Sequence, residues 1–154
     1  MAAKSAEKDV DVALGAALAV ERLRLSEARL SRRRQNDCGP SENARAAMRF
    51  VLDRTDAGET VTPTAIAQHL GVSTASVTGM LDRLHNGGLI AFAPNPVDRR
   101  SKLVMPFDRD ADLEDIDPLT ARIRELAEEI PDEAAAHIAR FLDRVRDAVD
   151  QECI

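Results

Sequence analysis

The chain has 154 residues, 44% of them hydrophobic and 31% charged. That balance suits one domain with helical extensions and excludes wholesale disorder. No apolar run approaches the roughly 18–20 residues of a membrane span, and the start, MAAKSAEKDVDV, lacks the continuous apolar stretch of a secretory signal. With two cysteines far apart, Cys38 and Cys153, the expectation is a soluble cytoplasmic protein with no membrane partner. Four Phe, no Tyr and no Trp leave the core to Leu, Ile, Val, Ala and Met. The net charge is −6, but residues 73–104 carry four basic and two acidic side chains while residues 105–154 carry six and fifteen. An anionic partner is therefore not excluded, because it needs a local positive patch rather than a basic total.

In chain order, residues 7–36 read as one long helix rich in Ala, Leu, Glu and Arg. Leu14, Leu18 and Leu25 form one apolar stripe on it, and Val20, Leu23 and Leu30 another. Two stripes predict burial on more than one side. Its end, SRRR at 31–34, reads as a solvated terminus that complements the helix dipole. DCGPSE breaks the helix, and Ser41 caps a second one to about Arg54, with Ala44, Ala47, Met48, Val51 and Leu52 inward. Thr62 and Pro63 open a short third helix that buries Ala65, Ile66, Ala67 and Leu70 and stops at Gly71. Ser73 caps a fourth, running to about Asn86 before Gly87-Gly88. A short helix, a tight Gly turn and a second capped helix form a helix-turn-helix pattern. LIAFA (89–93) and KLVMPF (102–107) read as two strands of a hairpin with PNPVDRRS at its tip. The acidic run 108–117 reads as a solvated linker. Helices at about 119–130 and 132–151 follow, divided at Pro131, with Ile138, Phe141, Leu142, Val145 and Val149 in a stripe on the last.

The fourth helix has an unusual outer face. Val77, Leu81 and Leu84 share its core side, and Thr74, Ala75, Ser76, Thr78, Gly79, Asp82, Arg83 and Asn86 stand on the other, with the cap Ser73 at its start. Small, hydroxylic side chains let a helix approach base edges and phosphates closely, where long charged ones would prop it away. The free N–H groups of its first turn also suit a phosphate. On the hairpin tip, Arg99, Arg100 and Lys102 suit DNA, an Arg fitting the narrow minor groove. Asp98 reads as a brace that holds a neighbouring guanidinium.

The stretch TAIAQHLGVSTASVTGMLDRLHNGGLI with NPVDRRSKLV resembles the MarR family of bacterial transcription regulators, closely over about residues 60–106. The resemblance implies a mainly α fold with a small β wing: a winged helix-turn-helix carrying long N- and C-terminal dimerisation helices. Residues 1–40 would be the first dimerisation helix, 41–107 the DNA-binding domain and 108–154 the closing dimerisation helices. Residues 73–86 would be the recognition helix and 89–106 the wing. Arg100 would enter the minor groove with Asp98 as partner, and Arg83 would lie near the DNA backbone. The implied partners are double-stranded DNA, a second copy of the chain and a small-molecule effector. The implied function is a regulator, in the first instance a repressor, on a pseudo-palindromic operator whose half-sites lie about 34 Å apart. The sequence departs from the family pattern where MPFDRDADLEDIDP follows the second strand and Pro131 cuts the next helix. A reshaped or absent effector pocket is the expectation there.

Other chemistry is sparse. No nucleophile elbow, phosphate-cradling Gly loop or paired carboxylate appears, so no enzyme and no cofactor are expected. His69, His85 and His137 lack zinc-ligand spacing, so no metal site is expected and structural or surface roles are. Two alternatives to a DNA-binding regulator are a winged helix kept as a protein-interaction module, suggested by the acidic last third, and a redox sensor at Cys38.

Overall fold

The computed structural model describes residues 2–36 and 40–152. Cys38 and Cys153 lie outside them. In order, the elements are α1 (Ala2–Asn36), α2 (Glu42–Asp56), α3 (Pro63–Leu70), α4 (Thr74–Asn86), β1 (Ile90–Pro94), β2 (Lys102–Pro106), α5 (Leu113–Ile116), α6 (Pro118–Glu128) and α7 (Asp132–Asp150). No described helix is long and apolar enough to cross a membrane. The fold is a mainly helical winged helix with a two-stranded sheet.

Local chemistry sets the boundaries of the middle elements. Ser41 accepts from the Ala44 amide, Thr62 from Ala65 and Ser73 from Ser76, each at 3.2 Å. Each cap satisfies one of the orphan donors of a first helical turn. Gly71 ends α3 at φ 65°, a left-handed conformation in which a Cβ would be strained. The strands pair antiparallel with Phe92 opposite Val104. Val104 also donates to the carbonyl of Val61 at 2.8 Å, which ties the chain before α3 to the wing.

Ala44, Ala47, Met48 and Val51 of α2, Val61, Ile66 and Ala67 around α3, and Val77, Met80, Leu81 and Leu84 of α4 form one core with Ile90 and Val104. Ala65 and Leu70 are only half-buried. At about 25 cal/mol per Å² of apolar surface removed from water, this cluster is the main stabilising term for residues 41–106.

The flanking helices behave differently. Neither α6 nor α7 buries a hydrophobic side chain. Leu14, Leu18, Leu23 and Leu25 of α1 and Ile138, Phe141, Leu142 and Val149 of α7 are exposed, while Val20, Leu30 and Val145 are half-buried. The stripes expected to be buried are thus not covered within one chain.

Two expectations need correction. The acidic run 108–117 is not all solvated linker: it contains α5, and Asp117 is 1% exposed, the one charged residue buried among those described. Its carboxylate accepts from Arg49 and from the Thr120 hydroxyl, the latter at 2.8 Å. Nor is SRRR a fully solvated end, because Arg34 is half-buried and pairs with Glu42. Guanidinium partners offset the cost of burying a carboxylate, which is what lets Asp117 sit inside.

Candidate nucleic-acid interface

The outer face of α4 is built by its cap and its period. Ser73 holds the first turn through the Ser76 amide, and its hydroxyl lies 2.9 Å from that of Ser76. Val77, Met80, Leu81 and Leu84 are drawn into the core, so Ser73, Thr74, Ala75, Ser76 and Thr78 are left exposed. The Thr78 hydroxyl donates to the carbonyl of Thr74 at 2.9 Å. Its proton is thus committed along the helix, and its lone pairs and methyl remain for an outside partner. Gly79 is half-buried, and Arg83 folds toward it, its Nη1 3.8 Å from where a Cβ would stand.

The wing tip is organised by two acceptor side chains. Asn95 Oδ1 accepts from the Val97 amide at 3.0 Å, and Asp98 Oδ1 from the Arg100 amide at 2.9 Å. The Ser101 amide donates to the Asp98 carbonyl at 3.1 Å, closing a turn. Short polar side chains bonding the backbone two residues on are a standard means of fixing such turns. Asp98 thus braces the main chain of Arg100, and among the described residues it pairs with no guanidinium. This corrects the expected guanidinium brace: a carboxylate two residues before Arg100 reaches its N–H more easily than its side-chain end.

Arg99, Arg100 and Lys102 are exposed. Neither they nor Arg83 joins an ion pair among the described residues. Lys102 Nζ stands 5.1 Å from the centre of the Phe92 ring, a cation–π contact that leans the stem on the strand.

Helix and wing face each other across one cleft of about 530 Å³. Thr74, Thr78 and Asp82 of α4 line it with Asp98, Arg100 and Lys102 of the wing. The fold therefore gathers Thr74, Thr78, Asp98, Arg100 and Lys102, while Ser73, Ala75, Ser76, Gly79, Arg83 and Arg99 lie outside that lining. Pro63 and Thr64 of α3 complete the wall and were not picked out as site residues from sequence. The cue available was their place in the first turn of a helix, where the Thr64 amide has no intrahelical partner.

The histidines have structural surroundings. His69 stacks on Phe50 with centres 4.2 Å apart, His85 Nδ1 lies 3.2 Å from the Ile90 carbonyl, and His137 Nδ1 lies 2.7 Å from the Glu133 carbonyl.

Comparison with known proteins agrees with this architecture. Residues 49–101 match the model of the MarR family. A curated relative, the uncharacterized HTH-type transcriptional regulator YcgE of Bacillus subtilis, is 29% identical over 89 residues, which is 56% of this chain and 58% of the relative. The match thus spans a little over half the length of that protein.

Solved structures share the fold over more of the chain. The S. aureus MepR–DNA complex superposes with a TM-score of 0.58 at 14% identity, covering 85% of this chain and 96% of that one. A Cys-to-Ser mutant of E. coli MarR complexed with operator DNA gives 0.55 at 22% identity, covering 82% and 90%. BldR from Sulfolobus solfataricus gives 0.57 at 15% identity, covering 93% and 98%.

Proposed function

We propose that this chain, whose residues 49–101 match the model of the MarR family, is a transcription regulator of that family that binds double-stranded DNA sequence-specifically as a homodimer, most simply as a repressor. Its relatives are transcription regulators rather than enzymes. One observation carries the DNA reading. Thr74 and Thr78 of the hydroxylic α4 face and the wing cations Arg100 and Lys102, in no ion pair among the described residues, border a single cleft. A phosphate backbone entering that cleft meets the hydroxyls of Thr74 and Thr78 on one side and the Arg100 guanidinium and Lys102 ammonium on the other, with the carboxylates of Asp82 and Asp98 also in the lining. Ser73, Thr74, Ala75, Ser76, Thr78 and Gly79 would face the major groove, with Arg83 on the adjoining backbone. Arg99 and Arg100 would reach the minor groove, and Lys102 a phosphate. MepR and MarR have been seen with DNA in structures of this fold, which supports the same use here.

The exposed stripes of α1 and α7 support the dimer. A row of Ile138, Phe141, Leu142 and Val149 in water costs more free energy than a soluble chain normally leaves uncovered. A second copy covers it and, by two-fold symmetry, sets two recognition helices on one duplex. The division proposed is residues 1–40 and 108–154 for dimerisation around a DNA-binding unit at 41–107. A small-molecule effector has room in a second cleft of about 530 Å³ between α1, α2 and α6, bordered by Arg24, Leu30, Leu119 and Ile123. Binding there relieves repression only if it favours a lobe angle that DNA does not.

The test is selection of bound fragments from the host genome, followed by anisotropy titration of the recovered duplex across a salt series, with mass measurement in solution. A specific complex whose log affinity falls linearly with log salt, formed by a dimer, is expected. A protein-interaction module predicts no such complex.

A further inference from the structure

We propose that Asp117 is a positioning residue. By clamping Arg49 of α2 and facing Arg34 of α1, it sets the angle at which each DNA-binding lobe stands on the dimerisation helices, and so the half-site spacing the dimer accepts. The inference rests on the DNA-binding reading above.

The geometry isolates this residue. Asp117 stands between α5 and α6, and its carboxylate receives hydrogen bonds from Arg49 and Thr120 while Oδ1 lies 3.8 Å from Arg34 Nη2. Oδ1 is buried and makes no hydrogen bond of its own. Arg34 also bonds Glu42, and Arg49 Nη2 is 3.7 Å from the same Glu42 carboxylate. Residues of α1, α2 and the start of α6 thus meet in one charged cluster.

Little else holds α6 to the lobe. It buries no side chain, and its other ion pair to α2 is Arg124 with Asp53, at 3.0 and 3.2 Å to the two oxygens. Arg49 and Asp53 are one turn apart on α2, and Asp117 and Arg124 are about two turns apart along α6. Two ionic rungs therefore join the same faces of two helices. Apolar contacts tolerate sliding, whereas a carboxylate–guanidinium pair is directional and a buried charge is costly to leave unpaired. Ile116, next to Asp117, packs against the core and anchors the junction, and the two ionic rungs set the angle of α6 about that anchor. On B-DNA each added base pair rotates the far half-site by about 34–36° and moves it about 3.4 Å, so a pinned lobe reads spacing strictly.

The test uses the full chain and a set of duplexes: the selected operator, the same operator with its spacer changed by one or two base pairs, and a single half-site. The wild type is expected to lose about tenfold or more for one base pair of altered spacing, from the rotation just given. Asp117→Asn should bind the altered spacers to within about threefold of the best one, with single half-site binding unchanged. Arg124→Asp, which breaks the surface rung with nothing buried, should relax spacing in the same direction, and Asp53→Arg added to it should restore the wild-type profile. A merely structural Asp117 would weaken every duplex alike. If Asp117→Asn does not form a folded dimer, Arg124→Asp and its rescue decide alone. Variants that keep the wild-type ratio between spacings overturn the inference and leave the DNA reading standing. A wild type that binds no duplex removes both.

Discussion

Arg100→Ala separates the wing from the rest of the protein. The side chain is exposed and in no ion pair among the described residues, so its loss leaves no buried charge behind. The turn also survives, because Asp98 accepts from the main-chain amide of Arg100, which alanine keeps. Folding stability should therefore stay within about 0.5 kcal/mol, as for surface changes generally. Binding is another matter. One lost Arg–DNA contact costs about 1–3 kcal/mol, a factor of roughly 5 to 150 for each copy. Both copies on one operator lose it, so the dimer–operator affinity should fall by at least about thirtyfold if the two losses add. The salt slope should become shallower by about 1 for each copy that gave up a phosphate-side contact. Anisotropy titration of the operator at several salt concentrations reads affinity and slope together, with a thermal melt and a mass measurement beside it. An unchanged affinity would refute the wing assignment. A fall in melting temperature matching the fall in affinity would show that Arg100 holds the fold rather than the DNA.

Three further outcomes are expected. Thr78→Glu should abolish operator binding, since it sets a carboxylate against phosphate on an exposed helix face, and circular dichroism should show the helix content retained; a variant that still binds would mean this face does not meet the duplex. Leu142→Asp should dissociate the dimer by placing a charge in the exposed stripe of α7, and light scattering that still finds a dimer would mean another surface makes it. Asp117 gives the third, through pH. Burial alone would raise its carboxyl, but the hydrogen bonds from Thr120 and Arg49 and the Arg49 charge outweigh that, so its pKa lies below the ordinary 3.8. A depressed carboxylate contributes stability that is fully present above that ordinary value and is withdrawn as pH falls through the lower, folded one. The stability gap between wild type and Asp117→Asn should thus be constant from neutral pH down to about 4 and narrow below it. A gap that is flat into strong acid, followed by chemical denaturation, would show that the charge contributes nothing.

Much of the molecule was legible from sequence because the forces involved act over a few residues. Ser41, Thr62 and Ser73 each cap an amide three residues on, Pro63 and Gly71 punctuate α3 through their own backbone limits, and the period of Val77, Leu81 and Leu84 decides which face of α4 is left outside. The gathered half of the candidate site, Thr74 and Thr78 with Asp98, Arg100 and Lys102, depends on a hairpin returning across a helix, and only the order of elements hinted at that.

Tertiary structure decided the rest. Asp117 looks like one more acid in a run of six, and its burial depends on Arg49, 68 residues away. Arg34 reads as part of a basic helix end until α1 brings it to Glu42 and Asp117. The stripes of α1 and α7 were visible as patterns, yet a period records only that a face is apolar, not what covers it. Capping, helical period and backbone limits are properties of neighbours in the chain. Desolvating a charge beside its counter-charge is a property of neighbours in space, and only the folded arrangement supplies those.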